Sequence, residues 1–442
     1  MDPSTHAGLV RGIRRWDLVA VAINGIIGAG IFGLPAKTYS LIGPYSLFAF
    51  VACALVVTLV ILCFAEVGSR FKDTGGPYLY AREAFGPVIG FQVGWLQWLA
   101  RLTSFAANLN LLLEYLGYFW PQVNVGWLRA AMMIVIVSAL ATVNVIGVRD
   151  AARVSNFFSI GKLLPLAFFV IVGLFFLQPQ NYSFAAPPSY GDFSKAVLLL
   201  VFAFTGFEMA VIPAGEIDNP QRNLPRAILL ALGIITVFYI LIQVVCVGTL
   251  PELATSVRPL ADASNRFMGS IGVTVILVGA VISIMGNLNV LILASSRLPF
   301  AMATQHELPR LIAATHARFH TPYTAILLTS GLMLALALSG SFITAVTISA
   351  IARLLSYTAT CAALPILRRK PSVPPAMFSA PLGLATAMAG LILCVWLLSN
   401  ISWNEAVQAV IVLAAGLTVY FVYKIVRRAA PAEAAVETEA VS

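Results

Sequence analysis

An all-α membrane protein of many spans is the fold class this sequence predicts, on three observations. Of the 442 residues, 60% are hydrophobic and 10% charged, against about 45–50% and about 25% in soluble domains. Long apolar runs recur from end to end, bounded by charge or Gly/Pro clusters, and a helix rising 1.5 Å per residue needs about 20 of them to cross a bilayer. The basic residues, finally, sort by connection. Together these exclude a soluble globule and make the lipid bilayer the first expected partner. The formal net charge of +9 would suggest nucleic acid in a soluble chain, but here it is an orientation signal, and no nucleic-acid partner is expected.

The runs give twelve spans, near residues 16–38, 44–67, 88–119, 127–147, 151–178, 194–217, 226–249, 269–296, 323–338, 341–367, 377–398 and 403–426. With the N-terminus cytoplasmic, 19 of the 27 Lys and Arg fall at cytoplasmic ends and five (Lys37, Arg129, Lys195, Arg258, Arg266) lie outside. By the positive-inside rule both termini face the cytoplasm, and the expected location is the bacterial inner (plasma) membrane. The polar opening of 17 residues leads into a run too long and too glycine-rich for a cleaved signal, so the first span is expected to be retained.

Spans 1 and 6 are interrupted at mid-depth. Span 1 carries Gly25, Gly28, Gly30 and Gly33, and span 6 carries Thr205, Gly206, Phe207 and Glu208, with Pro213 and Gly215 beyond. Glycine permits unwound backbone, and such backbone survives at membrane depth only against protein or a cavity. Glycines also serve simple close packing of helices. Span 1 enters from inside and span 6 from outside, so matched breaks point to an inverted repeat. Like features recur at 178 residues (Gly28 to Gly206), 186 (Arg101 to Asn287) and 191 (Lys162 to Arg353). The expected architecture is a 5+5 inverted repeat with discontinuous helices 1 and 6, plus two C-terminal helices. Its divisions are a cytoplasmic N-terminus 1–15, a first repeat 16–178, a second repeat 179–370, helices 11 and 12 over 371–427, and a disordered cytoplasmic tail 428–442. Gly28, Gly30 and Gly33 also match a dinucleotide fingerprint, but no strand precedes them and no acid follows at the required distance. No cofactor is expected.

Where span 1 breaks, the amides of Gly28, Ala29 and Gly30 open a helix N-terminus suited to an α-carboxylate. The carbonyls of Ala22 and Ile23, with those of Phe202, Phe204 and Thr205 beside Gly206, suit an α-ammonium group. In span 3, at 100° per residue, Ser104, Asn108 and Tyr115 share a stripe with Arg101, and Thr103, Asn110 and Glu114 lie opposite. A helix polar on two faces is surrounded by protein or cavity. Arg101, about 20 Å from the cytoplasmic end, is expected to pair with Glu208 or with an acidic substrate. Ser283 and Asn287 in span 8 share one face, either on the cavity or bonding between helices. Lys162 lies about 16 Å into span 5, beyond comfortable snorkelling reach, where burial makes a lysine's protonation sensitive to its surroundings. Arg353 in span 10 is the third intramembrane cation, and such residues are functional by default.

The five cysteines sit in apolar runs without C-x-x-C spacing, implying neither disulfide framework nor zinc site. His316 and His320 near Glu307 read as solvated loop residues, so no metal is expected. No nucleophile with a base and no phosphate loop survives in context, so an enzyme is not expected. Glu66 beside Arg70, and Asp218 with Arg222 and Arg226, are either cytoplasmic gate pairs or solvated loop charges.

The stretches GIIGAGIFGLP (25–35), GGPYLYAREAFG (75–86), FAFTGFEMAVIPAGEIDNPQRNLP (202–225) and SSRLPFAMATQHELPRL (295–311) make the chain resemble the amino acid/polyamine/organocation superfamily of permeases, with the leucine-transporter-type fold. The resemblance covers nearly the whole chain. It implies substrate binding at the unwound backbone named above, an aromatic lid at Phe202, and gating by Glu208. It also likens Lys162 to the span 5 lysine that stands where sodium sits in sodium-coupled relatives. Lys162, Glu208, Phe202 and Ser283 are then coupling or gating residues, and Arg101, Ser104, Asn108 and Asn287 specificity candidates. The expected activity is proton-coupled, sodium-independent uptake of an amino acid by alternating access, proton and amino acid being the small partners. Apolar candidates Phe202, Phe207, Ile284 and Met285 favour a neutral substrate, and Arg101 leaves an acidic one open. The alternatives are an exchanger, a polyamine or cationic amino acid permease, or a transporter-like amino acid sensor.

Overall fold

The computed structural model describes residues 9–28, 30–339, 342–399 and 403–429. Among them the chain forms α-helices and short 3-10 turns and no β-strand; residues Ile13 and Ile217 make an isolated parallel bridge. The helix α1 (Arg15–Ile26) starts where Asp17 accepts a hydrogen bond from the Arg14 amide at 3.0 Å, and α2 (Gly30–Ile42) resumes after the glycine break. Next come α3 (Ser46–Gly68), the short α4 (Pro77–Phe85) and α5 (Pro87–Phe119). Proline opens both α4 and α5, at the first helical position where its missing N–H costs nothing. The first half continues with α6 (Gly126–Ile146) and α7 (Val148–Gly173).

The second half opens with α8 (Tyr190–Phe204), capped by Ser189 accepting from the Asp192 amide at 3.1 Å. A break over 205–207 separates it from α9 (Glu208–Val211), a single turn. Then follow α10 (Pro220–Thr249), α11 (Pro259–Thr304), α12 (Tyr323–Ser339), α13 (Phe342–Arg369), α14 (Leu384–Leu398) and α15 (Trp403–Ala429). The expected span at 269–296 is part of the longer α11, whose backbone leaves helical geometry at Gly269, φ 61°. The run expected from 377 becomes helical only at Leu384, because Pro371, Pro374, Pro375 and Pro381 deny the preceding segment its backbone donors.

Among the described residues, six stretches are long and apolar enough to cross a membrane: Gly30–Gly68, Gly126–Ile146, Ala151–Phe176, Pro220–Thr249, Pro259–Thr304 and Ala406–Arg427. Tyr323–Ser339 and Leu384–Leu398 are apolar but shorter. The outer face is greasy, with Phe157, Leu164, Val410 and Ile425 exposed, an arrangement that suits hydrocarbon rather than water. The inside carries the charge: Arg101, Arg297 and Lys162 are among the largest fully buried side chains. Residues 18–26 of α1 are all buried, and that helix is ringed by α7, α9, α10 and α11. The long α5 packs along α13 and α11. The two helix breaks therefore lie inside the bundle.

Candidate functional site

The site is built where the two broken elements meet. Gly206 has φ 111°, a conformation L side chains rarely adopt, and a Cβ placed on it would lie 2.2 Å from the Gly25 carbonyl oxygen. A Cβ on Gly25 would in turn lie 2.5 Å from the Gly206 oxygen. Backbone touches backbone here, which only a pair of glycines allows.

Breaking α1 frees carbonyls at its end, and donors from α7 and α11 take them. Ile23 still accepts from the Ile27 amide at 2.8 Å, and Gly28 donates to Ile26 at 2.9 Å. Beyond that, Asn287 Nδ2 donates to the carbonyls of Asn24 (2.8 Å) and Gly25 (2.9 Å). Lys162 Nζ donates to Ile27 O at 2.6 Å, and Ser283 Oγ donates to the same oxygen at 3.2 Å. Lys162 is fully buried with Ser283, so one carbonyl at the break is held from two helices at once. Nearby, Asn24 donates to Ser155 O (2.6 Å) and Ser159 to Ala20 O (3.0 Å), which fastens α1 to α7.

On the far side of the break stands Glu208, also fully buried. Its Oε2 accepts from the Gly206 amide and from the Tyr357 hydroxyl, each at 2.8 Å. Its Oε1 lies 3.6 Å from Arg101 and 3.7 Å from Arg353. Arg353 donates to Thr205 Oγ1 at 2.6 Å and to Ser104 Oγ at 3.0 Å, and Ser104 and Ser349 share a hydrogen bond of 2.8 Å. Arg101 donates to the backbone carbonyl of Gln97 at 2.7 Å and to its side-chain oxygen. Asn108 is turned to its own helix, donating to Ser104 O at 2.8 Å. The opposite stripe of α5 is engaged elsewhere: Asn110 donates to Ala337 O at 3.2 Å and accepts from Arg129 at 2.7 Å.

A third polar layer lies at the end of the bundle where the N-terminal segment runs. Arg297 clasps Glu216 with two hydrogen bonds of 2.8 and 2.9 Å, both side chains fully buried. The amides of Gly12 and Ile13 donate to Glu216 O at 2.9 and 3.0 Å, and Asp218 donates back to Ile13 O at 3.0 Å. Glu66 takes two hydrogen bonds of 2.6 Å from Arg368, with Arg70 3.5 Å away. Glu307 accepts from Tyr78 at 2.8 Å and Arg82 at 2.9 Å. Burial holds the Glu307 carboxyl above the usual carboxylate range, although both hydrogen bonds work the other way. His316 has its Nδ1 turned to the amides of Arg318 and Phe319 in its own loop, and among the described residues no group of His, Cys, Asp and Glu could hold a metal ion.

Of the residues the sequence singled out, Ile23, Gly28, Gly30, Thr205, Gly206 and Glu208 fall at the meeting of the breaks, with Lys162, Ser283 and Asn287 on one side and Arg101 and Ser104 on the other. Ala22 is fully buried in α1. Phe204 stacks edge-on against Tyr239 at 5.0 Å. Ala29 and the side chain of Phe202 lie outside the described residues. Tyr357 and the Glu216–Arg297 pair were missed. Tyr357 lies four residues after Arg353, one helical turn on, which is the signal that was available. Glu216 and Arg297 are 81 residues apart, and only the fold joins them.

With this geometry in hand, a family profile described as amino acid permease matches residues 13–423. Among individual relatives, the methylthioribose transporter of Bacillus subtilis (strain 168) is 28% identical over 444 residues, covering 95% of this chain and 95% of its own. The branched-chain amino acid permease BcaP of the same organism is 26% identical, covering 95% and 94%. Its serine/threonine exchanger SteT is 33% identical over 336 residues, covering 72% and 74%. The apolar helices and the match along nearly the whole length make this a multi-pass membrane transporter rather than an enzyme: the chain belongs to the amino acid permease family.

Proposed function

We propose that this permease is a secondary active transporter that takes up an amino acid by alternating access, coupled to protons and indifferent to sodium. The observation that carries the coupling is Lys162 Nζ on the Ile27 carbonyl at 2.6 Å, beside Ser283 at the break in α1. A cation at that point does by a fixed side chain what a bound sodium ion does elsewhere: it neutralises the negative end of the inner half-helix and ties α1 to α7 and α11. Taking up or releasing a proton on Lys162 strengthens or weakens that tie, so the broken helices are held or freed to rock against their scaffold. The amides of Ala29 and Gly30 bind the α-carboxylate, and the carbonyls at the two breaks receive the α-ammonium group on the lone pair that each keeps beyond the hydrogen bond it already accepts. Glu208, bonded to the Gly206 amide, reports the state of the second break to Arg101, Arg353 and Tyr357.

In this reading the helices form twelve spans as a 5+5 inverted repeat, divided at 16–178 and 179–370 and followed by two more over 371–427, with both termini cytoplasmic in a bacterial inner membrane. The Glu216–Arg297 layer is then the closed cytoplasmic side. The names of the three relatives cover methylthioribose, branched-chain amino acids and serine/threonine, so the solute has to be read from this chain's own residues. Phe207 and Ile284 are buried, Phe207 between Phe64 (5.1 Å) and Tyr357 (5.3 Å), which supports a neutral side chain, and the charges on Arg101 and Arg353 leave an acidic one open.

Counterflow in proteoliposomes tests the proposal. Amino acid accumulation driven by an inward pH gradient and unchanged by replacing sodium with choline is the expected result. Sodium-dependent accumulation overturns the coupling. Binding without counterflow makes the protein a sensor, and stabilisation by polyamines alone removes the zwitterion site.

A further inference from the structure

We propose that the transported amino acid carries an anionic side chain, and that Arg353, with Arg101 beside it, is what selects it. The inference rests on the amino acid permease reading and goes beyond it by naming the substituent.

The ground is a count of buried charge. Two guanidinium groups face one carboxylate: Arg101 is fully buried, Arg353 is 5% exposed, and the Glu208 oxygen they share lies beyond hydrogen-bond distance of either. The other Glu208 oxygen is already bonded to Gly206 and Tyr357. Arg101 Nε and Nη2 and Arg353 Nε have no hydrogen-bond partner among the described residues, and neither has Glu208 Oε1. The sequence has no Asp or Glu within 46–65, 84–113, 151–191, 193–207 or 308–404, and Glu66, at the end of α3, is already held by Arg368. The neighbouring lengths of α5, α7, α8 and α13 are therefore without one.

The arginines at the buried glutamates Glu216 and Glu66 are balanced or wetted. Arg297 meets Glu216 one to one in a bidentate pair. Glu66 also has two arginines, but one of them, Arg368, is 32% exposed, where water and counter-ions screen its charge. At Glu208 neither relief exists. A buried charge without a counter-charge is strongly disfavoured, so a net positive cluster with unused N–H groups is a site complementary to an anion.

Position decides which anion. Arg353 donates to Thr205, the first residue of the second break. A substrate whose α-groups rest on the unwound backbone directs its side chain past Thr205 toward that guanidinium and Ser104. A terminal carboxylate matches the planar fork of arginine and supplies the acceptors that Arg353 Nε and Arg101 Nη2 lack. The amide of the same length supplies one acceptor and no charge, and leaves the imbalance in place.

The test compares isosteres. Full-length protein in proteoliposomes is assayed for counterflow of labelled L-glutamate and L-aspartate with L-glutamine and L-asparagine as competitors, and the same four compounds are compared for thermal stabilisation of the wild type. The acids are expected to be favoured by about 10–100-fold, the range for a hydrogen bond to a charged group. In Arg353→Gln the acid-to-amide ratio falls about tenfold or more, whereas Arg353→Lys, which keeps the charge, retains part of it. An amide preference in the wild type, by either readout, overturns the inference and leaves the permease reading standing, as does an unchanged ratio in Arg353→Gln. Absence of counterflow for every amino acid overturns the permease reading, and this inference with it.

Discussion

The side-chain nitrogen of Lys162 lies 2.6 Å from the carbonyl oxygen of Ile27, 135 residues earlier in the chain, and both groups are buried. The bond ties the middle of α7 to the last turn before α1 unwinds. Lys162→Met keeps the apolar stem and removes the cation. Its uptake is expected to lose its response to an imposed pH gradient while amino acid binding persists. Gradient-driven uptake equal to wild type in Lys162→Met would show that the proton is carried elsewhere, with Glu208 the next group to replace.

The close approach of Gly25 and Gly206 leaves no room for a methyl group. Gly206→Ala places a Cβ 2.2 Å from a backbone oxygen at φ 111°, a strain of about 1–3 kcal/mol before any clash is counted. The variant should insert but neither bind nor transport. Gly33 meets nothing within 4 Å of its would-be Cβ, so Gly33→Ala serves as the control with near wild-type uptake. Equal uptake by the two variants would refute the contact.

Arg297 and Glu216 form a one-to-one pair with no exposed surface. Arg297→Met strands a buried carboxylate and should lower stability by about 3–5 kcal/mol, whereas Arg297→Met with Glu216→Leu should recover most of that loss. Thermal melts of the two single variants and the double variant give the coupling. Additive losses would mean that the charges do not act as a pair.

Glu307 follows the end of α11 at Thr304, outside the spanning segments, and burial raises its carboxyl above the ordinary glutamate range. The folded state thus holds this proton more tightly than the unfolded chain does. Its contribution to stability is fully present below the unfolded value, about 4.3, and is lost as pH rises through the raised folded value. Melting temperature followed upward from pH 4 should fall for wild type relative to Glu307→Gln over that window and run parallel to it beyond. Parallel curves throughout would show that Glu307 ionises in its usual range.

Composition and pattern were enough to read an apolar helical bundle, the break near Gly28 and the break near Gly206, because hydrocarbon imposes long apolar runs and glycine marks where they fail. Lys162, Arg101 and Glu208 were legible for the same reason: charge within such a run is costly and therefore conspicuous. What they touch was not legible. Glu208 is six residues from Phe202 in sequence, yet its partners are Arg101, Tyr357 and Arg353 on α5 and α13. Arg353 stood out as an intramembrane cation, but its place over Thr205 and against Ser104 depends on how α13 lies along α5. Helical periodicity fixes which side of one helix a residue is on and carries no information about which helix comes to face it. The charge on each residue was therefore settled by sequence alone, and the imbalance of two guanidinium groups on one carboxylate by the packing that brought them together.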